Sequence, residues 1–375
     1  MTEQISVSRL FDGTYWLENI TVTIAEGIIQ AITPARADIT DGILVPGFID
    51  VQVNGGGGVL FNTAPNLQTL ATMQQAHARF GTTAFLPTVI TDNLELMQQA
   101  AETVAQAVAT EHSGVLGIHF EGPHLAVAKK GIHSEQYIRP ISAAEMAIYS
   151  RTDLGIKLLT VAPETVSPEQ IAELVALNVI VCLGHSNADV ETVQAALAAG
   201  ASGFTHLYNA MSGLASRAPG MVGAALADEN SWCGLILDGQ HLHPVAAKVA
   251  LAAKPKGKVF LVTDAMSPVG SAETEFTFFA DLISREGNKL SNTQGQLAGS
   301  VLDMISAVNY AINVLGLSKE EALNMASLYP AQLLQSQQHG RIEVGYRADL
   351  LLIDEKNTVL TNWVGGKVVY QHSSS

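Results

Sequence analysis

The chain has 375 residues, of which 47% are hydrophobic and 15% charged, and its formal net charge is −15. That apolar fraction excludes a disordered polymer, and a charged fraction below the ~25% of ordinary soluble domains points to extensive burial in a core or a subunit interface. The acidic balance excludes generic affinity for nucleic acid or an anionic membrane, which both need a basic face, but not a small anion held by a few local cations.

Residues 1 to 45 read as short β segments separated by turns: ISVSRLF, YWLENITVTIA and GIIQAI. From Gly47 the pattern changes to apolar runs alternating with longer helical stretches. The runs are FIDVQV with its following Asn, TTAFLPTVI (82–90), GVLGIHFEG (114–122), IKLLTVAPE (156–164), VIVCLGHS (179–186), SGFTHLYN (202–209), CGLILDG (233–239) and KVFLVTDA (258–265). Between them, segments such as PEQIAELVAL and ADVETVQAALAAG place apolar residues at helical spacing. Near-continuous apolar strands are expected of a parallel sheet covered on both faces, and eight of them alternating with helices close a (β/α)8 TIM barrel. Two further helices are predicted around 300–315 and 318–329, before a β-rich end. The expected α/β architecture is a catalytic barrel over residues 46–339, with a small β-sandwich domain built from residues 1–45 and 340–375.

Cys182 and Cys233 are far apart and form no CxxC pair, too few for a disulfide framework or a thiolate zinc site. The opening MTEQISVSRLFDG lacks the basic start and apolar core of a signal peptide. No apolar run approaches the ~20 residues that span a bilayer. The expectation is a soluble cytoplasmic protein.

In such a barrel the residue ending a strand points into the mouth, where active sites form. Here strand one ends in Gln52 and Asn54, strand three in Glu121, strand five in His185 and strand six in His206. Strand seven ends in Asp238 with His241 just beyond, and strand eight in Asp264. A lone histidine at a strand end is more often a hydrogen-bonded structural residue. Glu, His, His, His and Asp together at one level are another matter, since each would cost several kcal/mol if buried unpaired among the usual Val, Ile and Leu. One carboxylate and two histidines from three strands make a ligand set with open positions, as a catalytic divalent metal requires. Asp264 would accept a proton beside it.

Other features carry less. The GGGG run at 55–58 has no following Lys-Ser/Thr and opens no helix, so it reads as a flexible turn rather than a phosphate cradle. His119 faces the same side as Glu121 but deeper, a packing position. His77 and His112 are expected to be solvated. Lys129 and Lys130 precede His133 in a loop at the mouth, and Arg217 lies in SRAPG after strand six.

With these residues assembled, the sequence resembles the amidohydrolase superfamily, and within it the N-acetylglucosamine-6-phosphate deacetylase family, from end to end. The resemblance is carried by PGFIDVQVNGGGG (46–58), HFEGPHL (119–125), KKGIHS (129–134), LGHSNA (183–188), THLYNAM (205–211), SRAPG (216–220), DGQH (238–241), VTDAM (262–266), LAGS (297–300) and SLYPA (327–331). It implies metal ligands at Glu121, His185 and His206, a catalytic aspartate at Asp264 and an oxyanion contact from His133. It implies substrate contacts at Ile132, His133, Asn209, Ala210, Arg217, His241 with the Asp238, Gly239 and Gln240 before it, and Leu297, Ala298 and Gly299.

Many amidohydrolases carry His-x-His after strand one and bind two metals, whereas this chain has Gln52-x-Asn54. Neutral amides are poor ligands for a transition metal, so the expectation is a vestigial second site and one divalent ion per subunit: zinc, iron(II), cobalt or manganese. The implied reaction is hydrolysis of the acetamide of N-acetylglucosamine 6-phosphate by a homodimer, with Arg217 reaching the neighbouring subunit's site. The rival readings are another amidohydrolase acting on a related N-acyl hexosamine phosphate, and an inactive barrel serving as a binding protein.

Overall fold

In the computed structural model, residues 2–36, 38–110, 113–279 and 281–373 are described. Eight parallel strands form one sheet in chain order: Phe48–Val53, Thr82–Ile90, Gly117–Glu121, Ile156–Val161, Val179–Leu183, Gly203–Phe204, Trp232–Leu235 and Val259–Leu261. The sheet closes on itself just past its edge strands. Val53 bridges Ala265 in parallel, and the Asp264 N–H donates to Gln52 O at 3.0 Å. The expected barrel is therefore present. Its second strand is buried at every position, as covering on both faces requires.

The sequence places the helices by their caps as well as their apolar faces. Ser142 and Ser167 each open a helix, Ala143–Tyr149 and Pro168–Ala176, with a reciprocal side-chain bond to Glu145 or Gln170 three residues on. Asn93, Asp189, Asp303 and Ser318 cap four others. The helices expected near 300–315 and 318–329 are Met304–Asn313 and Lys319–Ala326, and a short third one, Leu328–Leu333, follows.

The terminal β segments join in a sheet of seven strands. The first four are Thr2–Phe11, Trp16–Ala25, Ile28–Pro34 and Thr40–Pro46; Leu350–Ile353, Val359–Val364 and Lys367–Gln371 complete it. Thr40–Pro46, which the sequence reading did not separate, pairs in parallel with the first strand and runs directly into the barrel. This domain buries its own cluster, including Val7, Leu10, Val22, Ile29, Leu44, Leu350 and Trp363.

A three-stranded antiparallel sheet, Glu275–Phe278, Asp281–Glu286 and Lys289–Asn292, follows barrel strand eight. It was not foreseen, because its strands are short and its outward positions polar. Its apolar side, Phe276, Phe278, Ile283 and Leu290, packs on Leu60, Ile90, Met266 and Ala298. Among the described residues, no helix is long and apolar enough to cross a membrane.

His77 corrects an expectation. It is buried, and its Nε2 lies 2.8 Å from Gly55 O. The carbonyl can only accept, so Nε2 carries the proton. The glycine run is correspondingly ordered, with Gly55 and Gly56 pairing with Leu60 and Val59. A Cβ on Gly56 would stand 2.7 Å from His77 Nε2, and Gly56 sits at φ +159°. His112 lies outside the described residues.

The two domains are joined by buried amide bonds as well as apolar contact. Asn362 is fully buried, and its Nδ2 donates to Ala78 O at 2.9 Å and Thr82 O at 3.2 Å. Asn362→Leu should therefore destabilise the fold by about 2 kcal/mol through stranded buried carbonyls, measured by denaturant unfolding, with metal content unchanged.

Candidate functional site

The side chains singled out from the sequence sit where the chain leaves its strands in unusual backbone. His185 (φ 47°), His206 (φ 34°) and Asp264 (φ 53°) all occupy left-handed conformations two or three residues beyond a strand end. Such conformations are unfavourable for non-glycine residues and persist where surrounding bonds over-determine them. The bonds are present. Ala126 N–H donates to His185 O at 3.0 Å, Leu207 N–H to Gly234 O at 2.9 Å, and Ser300 N–H to Asp264 O at 2.9 Å. Strand six ends at Phe204, sooner than the apolar run suggested, because the chain turns at once through His206, Tyr208 and Ala210, all at positive φ.

These turns converge three donor atoms. His185 Nε2 and His206 Nε2 lie 3.1 and 2.9 Å from Glu121 Oε1 and 3.0 Å from each other, and all three side chains are buried. The Lys129 carbonyl can only accept, so His185 Nδ1 donates to it at 2.9 Å and Nε2 is the nitrogen turned toward Glu121 and His206 and open to a metal. Ligands ~2.1 Å from one ion at tetrahedral angles are ~3.4 Å apart, so the set fits a single divalent metal with shifts of a few tenths of an ångström. Its donor chemistry, two imidazoles and a carboxylate, suits zinc, iron(II), cobalt or manganese.

Electrostatics separates the two acidic groups of the site. Burial pushes Glu121 up, but hydrogen bonds and charge from His185 and His206 outweigh it and hold the carboxyl well below the usual range. Asp264 lacks such partners. Burial, followed by the Glu121 charge, raises it to about 6. Its Oδ1 accepts from Asn54 Nδ2 at 2.6 Å. Gln52 Nε2 donates to Glu121 Oε1 at 3.1 Å. Burial, then the neighbouring His185, holds His133 well below its ordinary value, so its ring is neutral.

Beneath the site, His119 Nδ1 donates to Val51 O at 2.9 Å. Its Nε2 lies 2.8 Å from the Thr160 hydroxyl, which in turn lies 2.6 Å from that of Thr205. With one nitrogen donating, the other must accept, so the two threonines form a polar floor of fixed direction.

A cavity of about 170 Å³ opens over this group. Its wall includes Glu121, His185, His206, Asp264, Asn54, Ile132, His133, Asn209, Ala210, His241, Leu297 and Gly299, all singled out from the sequence. Ile90, Gly131, Ile236 and Met266 complete it. These four are apolar or glycine, and nothing in their own sequence context distinguishes them from core residues. Thr91 also went unforeseen, although its Oγ1 lies 2.8 Å from His133 Nδ1.

Six of the singled-out residues do not line the cavity. Gln52 stands behind Glu121. Ala298 is wholly buried in the cluster under the three-stranded sheet. Asp238 turns to His241 instead: its Oδ2 lies 2.6 Å from His241 Nδ1, and its Oδ1 accepts the N–H groups of Gln240 and His241 at 2.8 Å. Gly239 and Gln240 are the turn that makes this possible. Arg217 is exposed on the loop before helix Gly220–Ala227, outside the cavity of the single chain. A larger hollow, about 950 Å³, lies against the terminal sheet near Arg36 and Trp363, remote in sequence from every strand end of the barrel and without the imidazole–carboxylate set.

A closed barrel with two imidazoles, a carboxylate and a second, proton-accepting carboxylate at its mouth defines a metal-dependent hydrolase site. Comparison with known proteins places it more closely. Residues 43–369 match the amidohydrolase family. The chain is 53% identical over 364 residues to the N-acetylgalactosamine-6-phosphate deacetylase of Shewanella sp. (strain ANA-3), covering 94% of this chain and 92% of the relative. The crystal structure of N-acetylglucosamine-6-phosphate deacetylase from Pasteurella multocida superimposes with a TM-score of 0.94 at 33% identity, over 98% of this chain and 99% of the other. A mutant of the Mycobacterium smegmatis N-acetyl-D-glucosamine-6-phosphate deacetylase, in complex with N-acetyl-D-glucosamine-6-phosphate, gives a TM-score of 0.91 at 26% identity, over 98% and 99%. The chain belongs to the amidohydrolase family, in the branch of its N-acetylhexosamine-6-phosphate deacetylases.

The donor set predicts one equivalent of divalent metal per chain by elemental analysis. His185→Ala should lower metal affinity by more than the ~10–100-fold that loss of an outer partner costs. A variant that retains wild-type metal after chelator dialysis would remove His185 from the set.

Proposed function

We propose that this chain hydrolyses the acetamide of N-acetylglucosamine 6-phosphate or its C4 epimer, releasing acetate and the hexosamine 6-phosphate. The observation that carries the reading is Asp264, raised to about 6, in one cavity with the Glu121–His185–His206 set and His241. Relatives of both epimer specificities support the phosphosugar class.

Held by Glu121, His185 and His206, a divalent ion would supply Lewis acidity, easing the ionisation of water and polarising the acetamide carbonyl. Asp264, unprotonated at neutral pH, takes the proton of the attacking water as its oxygen bonds to the carbonyl carbon. When the C–N bond breaks, its electron pair leaves with nitrogen, and Asp264 delivers the proton there. Neutral His133, its Nδ1 held 2.8 Å from the Thr91 hydroxyl, would donate to the developing oxyanion from Nε2 in the tautomer that carries its hydrogen there.

We assign His241, its Nδ1 anchored on Asp238, to the phosphate, with backbone around Asn209 and Ala210 assisting. Arg217 does not line the cavity of the single chain, and we assign it to the neighbouring cavity of a homodimer. Leu214, a large apolar side chain exposed three residues before it, supports a subunit contact there.

Asp264→Asn should lower kcat by several orders of magnitude while metal content stays at one equivalent; near-normal turnover would remove the residue from the reaction. Because the base works unprotonated, kcat/KM should fall about tenfold per pH unit below about pH 6 and level off above it. Acetate release across phosphorylated and unphosphorylated N-acetyl sugars should favour the phosphates by about a hundredfold or more. Equal rates on both would overturn the roles of His241 and Arg217.

A further inference from the structure

Three hydrogen bonds tie the segment of Asn54 to that of Asp264, one of them directly between the two side chains. The Asn54 N–H donates to Ala265 O at 2.9 Å, the Asp264 N–H donates to Gln52 O two residues before Asn54, and Asn54 Nδ2 donates to Asp264 Oδ1 at 2.6 Å. A carboxylate oxygen only accepts, so the amide nitrogen faces Asp264 and the orientation of the amide is fixed. The remaining polar atom is Asn54 Oδ1. It is buried without a partner among the described residues, on a side chain only 4% exposed that walls the cavity. Buried acceptors are almost always paired, so this one calls for a donor supplied by whatever fills the cavity.

The substrate class proposed above brings one N–H donor to the reacting centre, that of the scissile amide. For nitrogen to leave, its lone pair must turn toward the acid that protonates it, and its N–H must then point elsewhere. Asp264 is that acid, and Asn54 Oδ1 stands on the side chain bonded to it. We propose that Asn54 Oδ1 accepts the N–H of the scissile acetamide and so turns the nitrogen lone pair toward Asp264. Asn54 is then a substrate-contacting residue rather than the remnant of a metal site; this assignment rests on the deacetylase reading. Gln52 serves the neighbouring carboxylate in parallel by donating to Glu121 Oε1. Two carboxylates balance one divalent ion, and neutral amides add donors without the excess positive charge of a second.

The test compares two substrates, an N-acetylhexosamine 6-phosphate and the 2-O-acetyl hexose 6-phosphate, whose ester oxygen replaces the N–H. Wild-type release of acetate from the amide checks the deacetylase reading independently, and a chain inert to it takes this assignment down as well. In Asn54→Leu, kcat/KM on the amide should fall about a hundredfold. On the ester it should fall by no more than about tenfold, that being the share due to a less firmly held Asp264. Metal content and melting temperature control for folding, and Asn54→Ala serves where the leucine variant does not fold. Equal losses on amide and ester would make Asn54 a positioning residue for Asp264 alone and overturn the N–H contact. Unchanged activity on both would overturn it too.

Discussion

Three lone pairs brought to one point set the terms for the rest of this molecule. Glu121 Oε1, His185 Nε2 and His206 Nε2 lie 2.9–3.1 Å apart in a buried site. Two unprotonated imidazole nitrogens cannot stand 3.0 Å apart unless something positive lies between them. A proton can serve, and His206 is accordingly raised: burial lowers it, but the hydrogen bond and charge of Glu121 prevail. A divalent ion held by Glu121, His185 and His206 would satisfy all three atoms at once. Barrel closure, the left-handed turns after strands five, six and eight, and the Lys129 carbonyl on His185 all hold the donors at this separation.

The same cluster sets two carboxylates to different tasks. Glu121 and Asp264 share one site, yet one is held well below the ordinary range and the other is raised to about 6. The difference is hydrogen bonding. Glu121 is bonded to both imidazoles and Gln52, whereas Asp264 receives one amide and the field of a neighbouring anion. A group held ionised is suited to a cation, and a group poised near neutrality to moving a proton. Neither depends on an exotic residue, only on which neighbours the strand ends supply.

The strand ends were also what the sequence made legible. Near-continuous apolar runs ending in Glu121, His185, His206 and Asp264 are rare enough jointly to reveal both the barrel and its mouth, because burial gives such residues no neutral explanation. Partners distant in sequence were not legible. His77 looks like a solvated helix residue until Gly55, 22 positions away, is seen to accept its proton. Thr91 looks like the end of an apolar strand, and only the fold brings His133 to it from 42 residues on. Asp238 was legible as part of a motif, but its direction was not; three hydrogen bonds fold it back on His241 and its turn rather than into the cavity. The sheet at 275–292 escaped because a strand with one apolar face and a few residues resembles a loop.

The acidic balance of the chain bears on how the proposed substrate would be held. With a net charge of −15, long-range attraction cannot gather a phosphosugar, so its phosphate must be met by local donors. Within one chain the cavity wall offers His241 alone among side chains that can be cationic, apart from the histidines grouped around Glu121. Arg217, with the fork geometry best suited to a phosphate, is exposed on a loop that also exposes Leu214. An arginine in that setting has two uses in the proposed homodimer. It would keep the loop that exposes Leu214 soluble in the single chain, and in the dimer it would supply charge to the partner's cavity. On this reading the low charge fraction and the incomplete anion site have one cause: surface given over to a subunit contact, which also completes the site.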